Sequence, residues 1–215
     1  LHDGSRDRRG ELVAAHLGRT AAVLQHHRDR HLGLSRYAGR RDALVGAARL
    51  VDALRRIAEA QPGGVATVGE LHIAPNSRNV IPGEVRMTLE LRHPDDRLRD
   101  AMDAQLQRAV HETTAAEGLQ AELKTVLVQP ATAFDPTLVA RVRAAAQAEG
   151  LTHRDIVSGA AHDAIAIARV APAAMIFVPC AGGISHNEAE SATAEDLAAG
   201  AQVLLRAVLG ACDDD

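Results

Sequence analysis

His186 stands in the loop GGISHNEAE (182–190), directly after an apolar run, with Glu188 two residues further on. A histidine at the edge of such a run can offer an imidazole nitrogen to a metal ion, and the glycine pair allows close backbone approach. A loop histidine hydrogen-bonded to Asn187 or Glu188 accounts for the same spacing. Arg92 ends an alternating segment on the side opposite Met87 and Leu89, where a guanidinium can clamp a carboxylate through two parallel N–H bonds. The plainer reading is a solvated arginine beside Asp95, and Asn79 in APNSRNVIPG is equally a turn residue. In SGAAHDA (158–164) the backbone N–H groups of Ser158, Gly159 and Ala160 open a helix and can form an anion nest. His162 and Asp163 are then an orienting pair or a polar helix end. Cys180 has no base placed for it and reads as a small buried residue. His27 and His31 in HHRDRH would share a helix face, but no third ligand is near, and a solvated His/Arg run is the favoured reading.

The elements that must position these groups fall into two sets. Leu44, Ala47, Ala48, Val51, Leu54 and Ile57 recur at three and four, which predicts a helix stopped by QPGG at 61–64. Residues 65–73 read as a strand. Val85, Met87, Leu89 and Leu91 alternate with Arg86, Thr88, Glu90 and Arg92, which predicts another. Asp95 and Asp96 can cap a helix carrying Leu98, Met102, Leu106 and Val110, Gly118 ends it, and residues 120–128 form a further strand. The order α-β-β-α-β needs one strand in front to complete a ferredoxin-like β-α-β-β-α-β plan. Residues 1–40 show none, and 12–24 read as an amphipathic helix, so the sheet is expected to lack its first strand and to have an unprotected edge.

Beyond Gln129-Pro130 the grammar becomes that of a parallel α/β sheet. Asp135-Pro136 caps a helix with Leu138, Val139 and Val142 inward. Residues 173–179 (AAMIFVP) form a continuous apolar run expected to be a strand buried on both faces. Thr193 with Asp196 starts a last helix, with Leu197, Val203, Leu204 and Val208 inward. Roughly 75 residues of this unit are too few for a complete domain of that type.

Composition narrows the classes of function. With 24 basic and 28 acidic residues the 215-residue chain carries a net charge of −4, which offers no general field for nucleic acid or an anionic membrane. One Tyr, two Phe and no Trp supply no stacking platform for single strands. No apolar run is long enough to span a bilayer, no secretory signal is visible, and two cysteines make no disulfide framework, so a reducing cytoplasm is expected. Residues 1–40 hold eight Arg against four acids and stand apart from the acidic remainder.

Taken together, RRDALVGAARLV (40–51), TVGELHIAPNSRNVIPGEV (67–85), LELRHPD (89–95), VSGAAHDA (157–164) and MIFVPCAGGISHNEAE (175–190) resemble the N-carbamoyl-L-amino-acid hydrolase, allantoate amidohydrolase and beta-ureidopropionase group of dinuclear zinc amidohydrolases. The resemblance implies an α/β fold with two parts: a ferredoxin-like lid that also dimerises (41–130), and the C-terminal part of a metal-dependent catalytic domain (131–212). It implies hydrolysis of carbamoyl or ureido C–N bonds by metal-bound water, with two Zn ions (or Mn, Co or Ni). His186 resembles the last metal ligand. Asn79 and Arg92 resemble substrate-binding lid residues, with Arg92 on the carboxylate of a small-molecule substrate, and Ser158, Gly159 and His162 match a segment lining the pocket. The resemblance does not extend to the family's N-terminal half, which supplies its H-x-D motif, bridging aspartate and E-E pair, so no catalytic general base is assigned. The histidine-bearing stretch expected before RRDAL is also replaced, with only His31 near its place. Residues 1–40 are therefore read as atypical for the family, with residues 1–39 the product of a shifted frame or a rearrangement. The chain is expected to be truncated and inactive alone; the alternative is a non-catalytic dimerisation or partner-binding fragment.

Overall fold

Asp42 adopts an extended backbone, and its carboxylate accepts the Leu44 and Val45 N–H groups, which sets the start of helix α1 (Ala43–Glu59). In this computed structural model, which describes residues 13–14, 16–25 and 40–212, the elements divide into two units, residues 15–131 and residues 1–14 with 132–215.

In the first unit, α1 is followed by strands β3 (Val65–Ala74) and β4 (Glu84–His93), helix α2 (Asp96–Glu117) and strand β5 (Gln120–Gln129). Asp95 caps α2 through the Arg97 and Leu98 N–H groups. Gly118 ends it at φ 62°, a left-handed conformation that favours glycine. The missing first strand is corrected: His16–Gln25 is strand β2, in the middle of an antiparallel sheet ordered β3-β4-β2-β5. Its register runs His16 against His93 through Gln25 against Glu84, with β5 on the other side. The succession is therefore β-α-β-β-α-β. The sequence HLGRTAAVLQ carries no clean alternation, so local propensity does not announce this strand. Two neighbouring strands satisfy its backbone groups, and pairing overrides the weak local preference. The expected helix over 12–24 is accordingly not formed.

Both helices cover one face of this sheet. Val85, Met87, Leu89 and Leu91 of β4 and Ala22 and Leu24 of β2 meet Ala47, Leu50, Leu54, Met102, Leu106 and Val110 in one buried cluster. On α1, Leu44, Ala47, Leu54 and Ile57 meet the core as expected. The stripe differs at its edge, where Gly46 and Leu50 face the core while Ala48 and Val51 are exposed. The difference follows from Gly46, where a Cβ would lie 2.4 Å from Leu119 Cδ1 and 3.2 Å from Leu24 Cδ2, so the bare backbone approaches the sheet.

The second unit contains a short ladder of β1 (Val13–Ala14) and β6 (Thr132–Ala133), then α3 (Pro136–Ala148), α4 (Asp163–Ile167) and α5 (Ala194–Cys212). Asp135 caps α3 through the Leu138 N–H, and Thr193 Oγ1 accepts the Asp196 N–H near the start of α5. Two expectations are overturned. Residues 173–179 form no strand: only Ala173 is buried, Met175 and Ile176 are half-buried and Phe177 is 43% exposed. No described strand lies alongside to pair with them. On α5 only Val203 is buried, whereas Leu197, Leu204 and Val208 are 54%, 55% and 51% exposed. An apolar stripe on a helix needs a facing layer to be buried, and among the described residues that layer is incomplete. No described helix is long and apolar enough to cross a membrane.

Candidate functional site

The alternation of β4 puts Arg92 and Glu90 on the same side of the sheet, opposite the buried Met87, Leu89 and Leu91. The Arg92 guanidinium pairs with the Glu90 carboxylate through Nε and Nη2, and it is partly shielded. The partner is thus the residue two places back on the same face, as the period of a strand allows. Asp95, the neighbour suggested by sequence, is occupied instead in capping α2. His93, which the sequence reading passes over, fixes this end of the strand. Buried to 3% exposure, it accepts the Asp95 N–H at Nδ1 (2.9 Å) and donates from Nε2 to the Pro62 carbonyl (3.1 Å). Both ring nitrogens being used, His93 pins the β4–α2 corner to the turn after α1.

Asn79 lies in the exposed connection between β3 and β4, where its Oδ1 accepts the Ser77 hydroxyl at 3.1 Å. Ala74 pairs with Glu84 at that end of the hairpin and Val65 with Arg92 at the other. Eight residues at about 3.3 Å per residue place the two ends roughly 26 Å apart. Arg92 thus stands at one end of the hairpin, and the connection that carries Asn79 joins the other.

In the second unit, Ser158 and His162 do meet. Ser158, at 9% exposure, has its Oγ 2.6 Å from His162 Nε2, and the same oxygen accepts the Ala160 N–H at 3.2 Å. The hydroxyl, with one donor and two acceptor sites, serves the Ala160 N–H and His162 Nε2 at once and so ties the imidazole to the start of this segment. The Phe177 ring stands edge-on to His162 at 5.6 Å, a contact across 15 residues that no motif signals. Gly159 is exposed, with open space where a Cβ would sit. His162 precedes α4 with an extended backbone and makes no side-chain cap.

His186 adopts φ 57°, a left-handed conformation uncommon for a non-glycine residue. Its N–H donates to Glu190 Oε2 at 2.8 Å, while Asn187 Oδ1 accepts the Ala189 N–H at 2.9 Å. Glu190, rather than Glu188, shapes this loop. The imidazole is exposed, and among the described residues no three His, Cys, Asp or Glu side chains converge to hold a metal ion. A stable zinc site needs three or four protein ligands, so the described residues do not by themselves fit a dinuclear centre. His27 and His31 lie outside the described residues. Cys180, half-buried rather than buried, and the exposed Cys212 are free thiols.

Comparison with known proteins gives these residues a context. The sequence profile of peptidase family M20/M25/M40 matches residues 32–210. An N-carbamoyl-L-amino-acid amidohydrolase of Rhizobium meliloti is 42% identical over 183 residues, which is 85% of this chain and 44% of that protein. An allantoate amidohydrolase of Bacillus subtilis is 29% identical over 175 residues, 81% of this chain and 42% of that one. Among solved structures, an amidase of the hydantoinase/carbamoylase family from Burkholderia vietnamiensis superposes with a TM-score of 0.86 at 46% identity. The superposition covers 93% of this chain and 48% of that one. The chain thus spans about half the length of the relatives it matches.

Proposed function

Because the chain belongs to peptidase family M20/M25/M40, we propose that it forms the ferredoxin-like lid and the C-terminal part of the catalytic domain of a metal-dependent amidohydrolase. Its substrates are N-carbamoyl-L-amino acids, allantoate or similar small carboxylates, cleaved at a linear carbamoyl or ureido C–N bond. The observation that carries this reading is the 42% identity over 183 residues to the Rhizobium meliloti enzyme. The family is metal-dependent in general. Of this chain's residues, His186 is the proposed ligand; the remaining ligands and the general base come from outside the described residues, and no catalytic step is assigned to these residues alone.

Arg92 holds the substrate carboxylate. A guanidinium has five N–H donors in a fixed plane, so the Glu90 pair orients it while it engages a second carboxylate. Ser158 orients the His162 imidazole, whose other ring nitrogen then meets a polar atom of the substrate, and Gly159 leaves room beside it. With Arg92 at one end of the hairpin and the connection of Asn79 at the other, each chain of a homodimer formed through the lid brings one of the two to a given small substrate and its second copy brings the other. The protein is placed in the cytoplasm, where its two thiols stay reduced.

Two measurements test the proposal. The purified 215-residue chain, given an N-carbamoyl-L-amino acid with Zn²⁺, Mn²⁺, Co²⁺ or Ni²⁺, is expected to show no turnover above buffer; turnover abolished by a chelator overturns its dependence on a second half. A hybrid in which residues 40–212 replace their counterparts in the Rhizobium meliloti enzyme is expected to hydrolyse the same substrate. In that hybrid Arg92→Ala raises KM at least tenfold. An inactive but folded hybrid refutes the assignment, and an unchanged KM refutes the clamp.

A further inference from the structure

We propose that His93 is a positioning residue for Arg92: by tying the end of β4 to the turn after α1, it aims the guanidinium at the carboxylate of a small substrate. This role deepens the clamp assigned to Arg92 and rests on the amidohydrolase reading.

His93 continues the core face of β4. The alternation that buries Val85, Met87, Leu89 and Leu91 carries on to position 93, where packing alone calls for another aliphatic residue. A histidine stands there instead, and at 3% exposure it is the most deeply buried polar side chain among the described residues. Burying an imidazole without partners is costly, and here backbone groups meet both nitrogens: the Asp95 N–H donates to Nδ1 at 2.9 Å, and Nε2 lies 3.1 Å from the Pro62 carbonyl. The first bond is local. The second spans 31 positions and reaches the turn between α1 and β3. That turn runs in contact with the ring, since a Cβ on Gly63 would stand 3.8 Å from Nε2.

Arg92 depends on this tie because of where it sits. Its ladder partner on β3 is Val65, the first residue of that strand, and on β2 it is Leu17, next to the first residue His16. Backbone at the end of a ladder opens more readily than backbone in its middle. The Glu90 pair sets the direction of the guanidinium relative to its own strand, so it travels with the strand end and does not hold it. His93 does hold it, because the Nε2 contact joins that end to a different element. Residues 92 and 93 share a peptide unit, so a displacement of about 1 Å at His93 passes to the Arg92 Cα and is enough to spoil a bidentate grip on a carboxylate.

The test uses the hybrid enzyme described above together with the 215-residue chain. In the hybrid, His93→Leu keeps an apolar group in the core and removes both bonds; it is expected to raise KM for an N-carbamoyl-L-amino acid about fivefold or more and to leave kcat within about twofold. Mere loss of folded protein does the reverse, lowering kcat at unchanged KM. His93→Gln, whose side-chain amide reaches the Pro62 carbonyl, is expected to recover most of the loss. In an Arg92→Ala background His93→Leu is expected to change KM no further, because it acts through Arg92. In the 215-residue chain His93→Leu is expected to quicken hydrogen exchange of the amides of residues 90–93 relative to those of 85–89. A KM raised by Arg92→Ala but unchanged by His93→Leu overturns the positioning role and spares the amidohydrolase reading. A KM unchanged by Arg92→Ala overturns the clamp and the positioning role with it. Unchanged exchange at 90–93, no recovery in His93→Gln, or a further rise of KM in the Arg92→Ala background also overturns the role of His93.

Discussion

Leu24→Ala probes the least expected element of the fold, the central strand β2. Leu24 is 0% exposed, and the α1 backbone crosses it at Gly46, which has no side chain to fill a void. Three methyl-sized groups at about 0.8 kcal/mol each give about 2.4 kcal/mol of lost transfer energy. A residual cavity of roughly 50 Å³ at about 24 cal/mol per Å³ adds about 1.2 kcal/mol. The expected loss is therefore about 3–4 kcal/mol, a fall in melting temperature of roughly 10–20 °C for a unit of this size. Urea denaturation measures the loss, and hydrogen exchange of the β4 amides 85–91 assigns it to the unit that contains β2. Val126→Ala on β5, whose side chain is 60% exposed, serves as the control and should change stability by less than about 0.5 kcal/mol. A Leu24→Ala variant as stable as the parent would refute the placement of residues 16–25 in the sheet.

Three further outcomes are expected. Gly118→Ala forces a Cβ into the left-handed end of α2 and should cost about 1–2 kcal/mol in denaturant unfolding. Gly200→Ala drives a methyl against Val178 and should cost about 1–3 kcal/mol, largely recovered in the double variant with Val178→Ala; additive losses would contradict the close contact. The Arg206 guanidinium, aided by Gln202, holds the Glu149 carboxyl below its ordinary value of 4.5. A carboxyl whose folded pKa is depressed stabilises the fold fully above that ordinary value, and the contribution is lost as pH falls through the lowered one. The protection factors of the α5 amides, their exchange taken against the intrinsic rate at each pH, should accordingly fall below about pH 4.5, and Glu149→Gln should remove that component.

Local chemistry wrote much of this protein into its sequence. Asp42, Asp95 and Asp135 cap helices because a short carboxylate reaches the free N–H groups of a first turn, and the Asp95 and Asp135 caps are legible directly. The alternation of β4 separates Arg92 from the core by the period of a strand, and motifs such as PNSRNVIPG and GISHNE carry the family likeness. Tertiary structure decided what depends on neighbours distant in sequence. β2 has a weak pattern and is a strand because β4 and β5 flank it. Residues 174–178 have a strong pattern and are not a strand, because hydrogen bonds of a sheet need a second chain segment. The partners of the candidate site divide in the same way. Glu90 beside Arg92 follows from strand periodicity, whereas Phe177 against His162 follows only from how the chain folds back on itself.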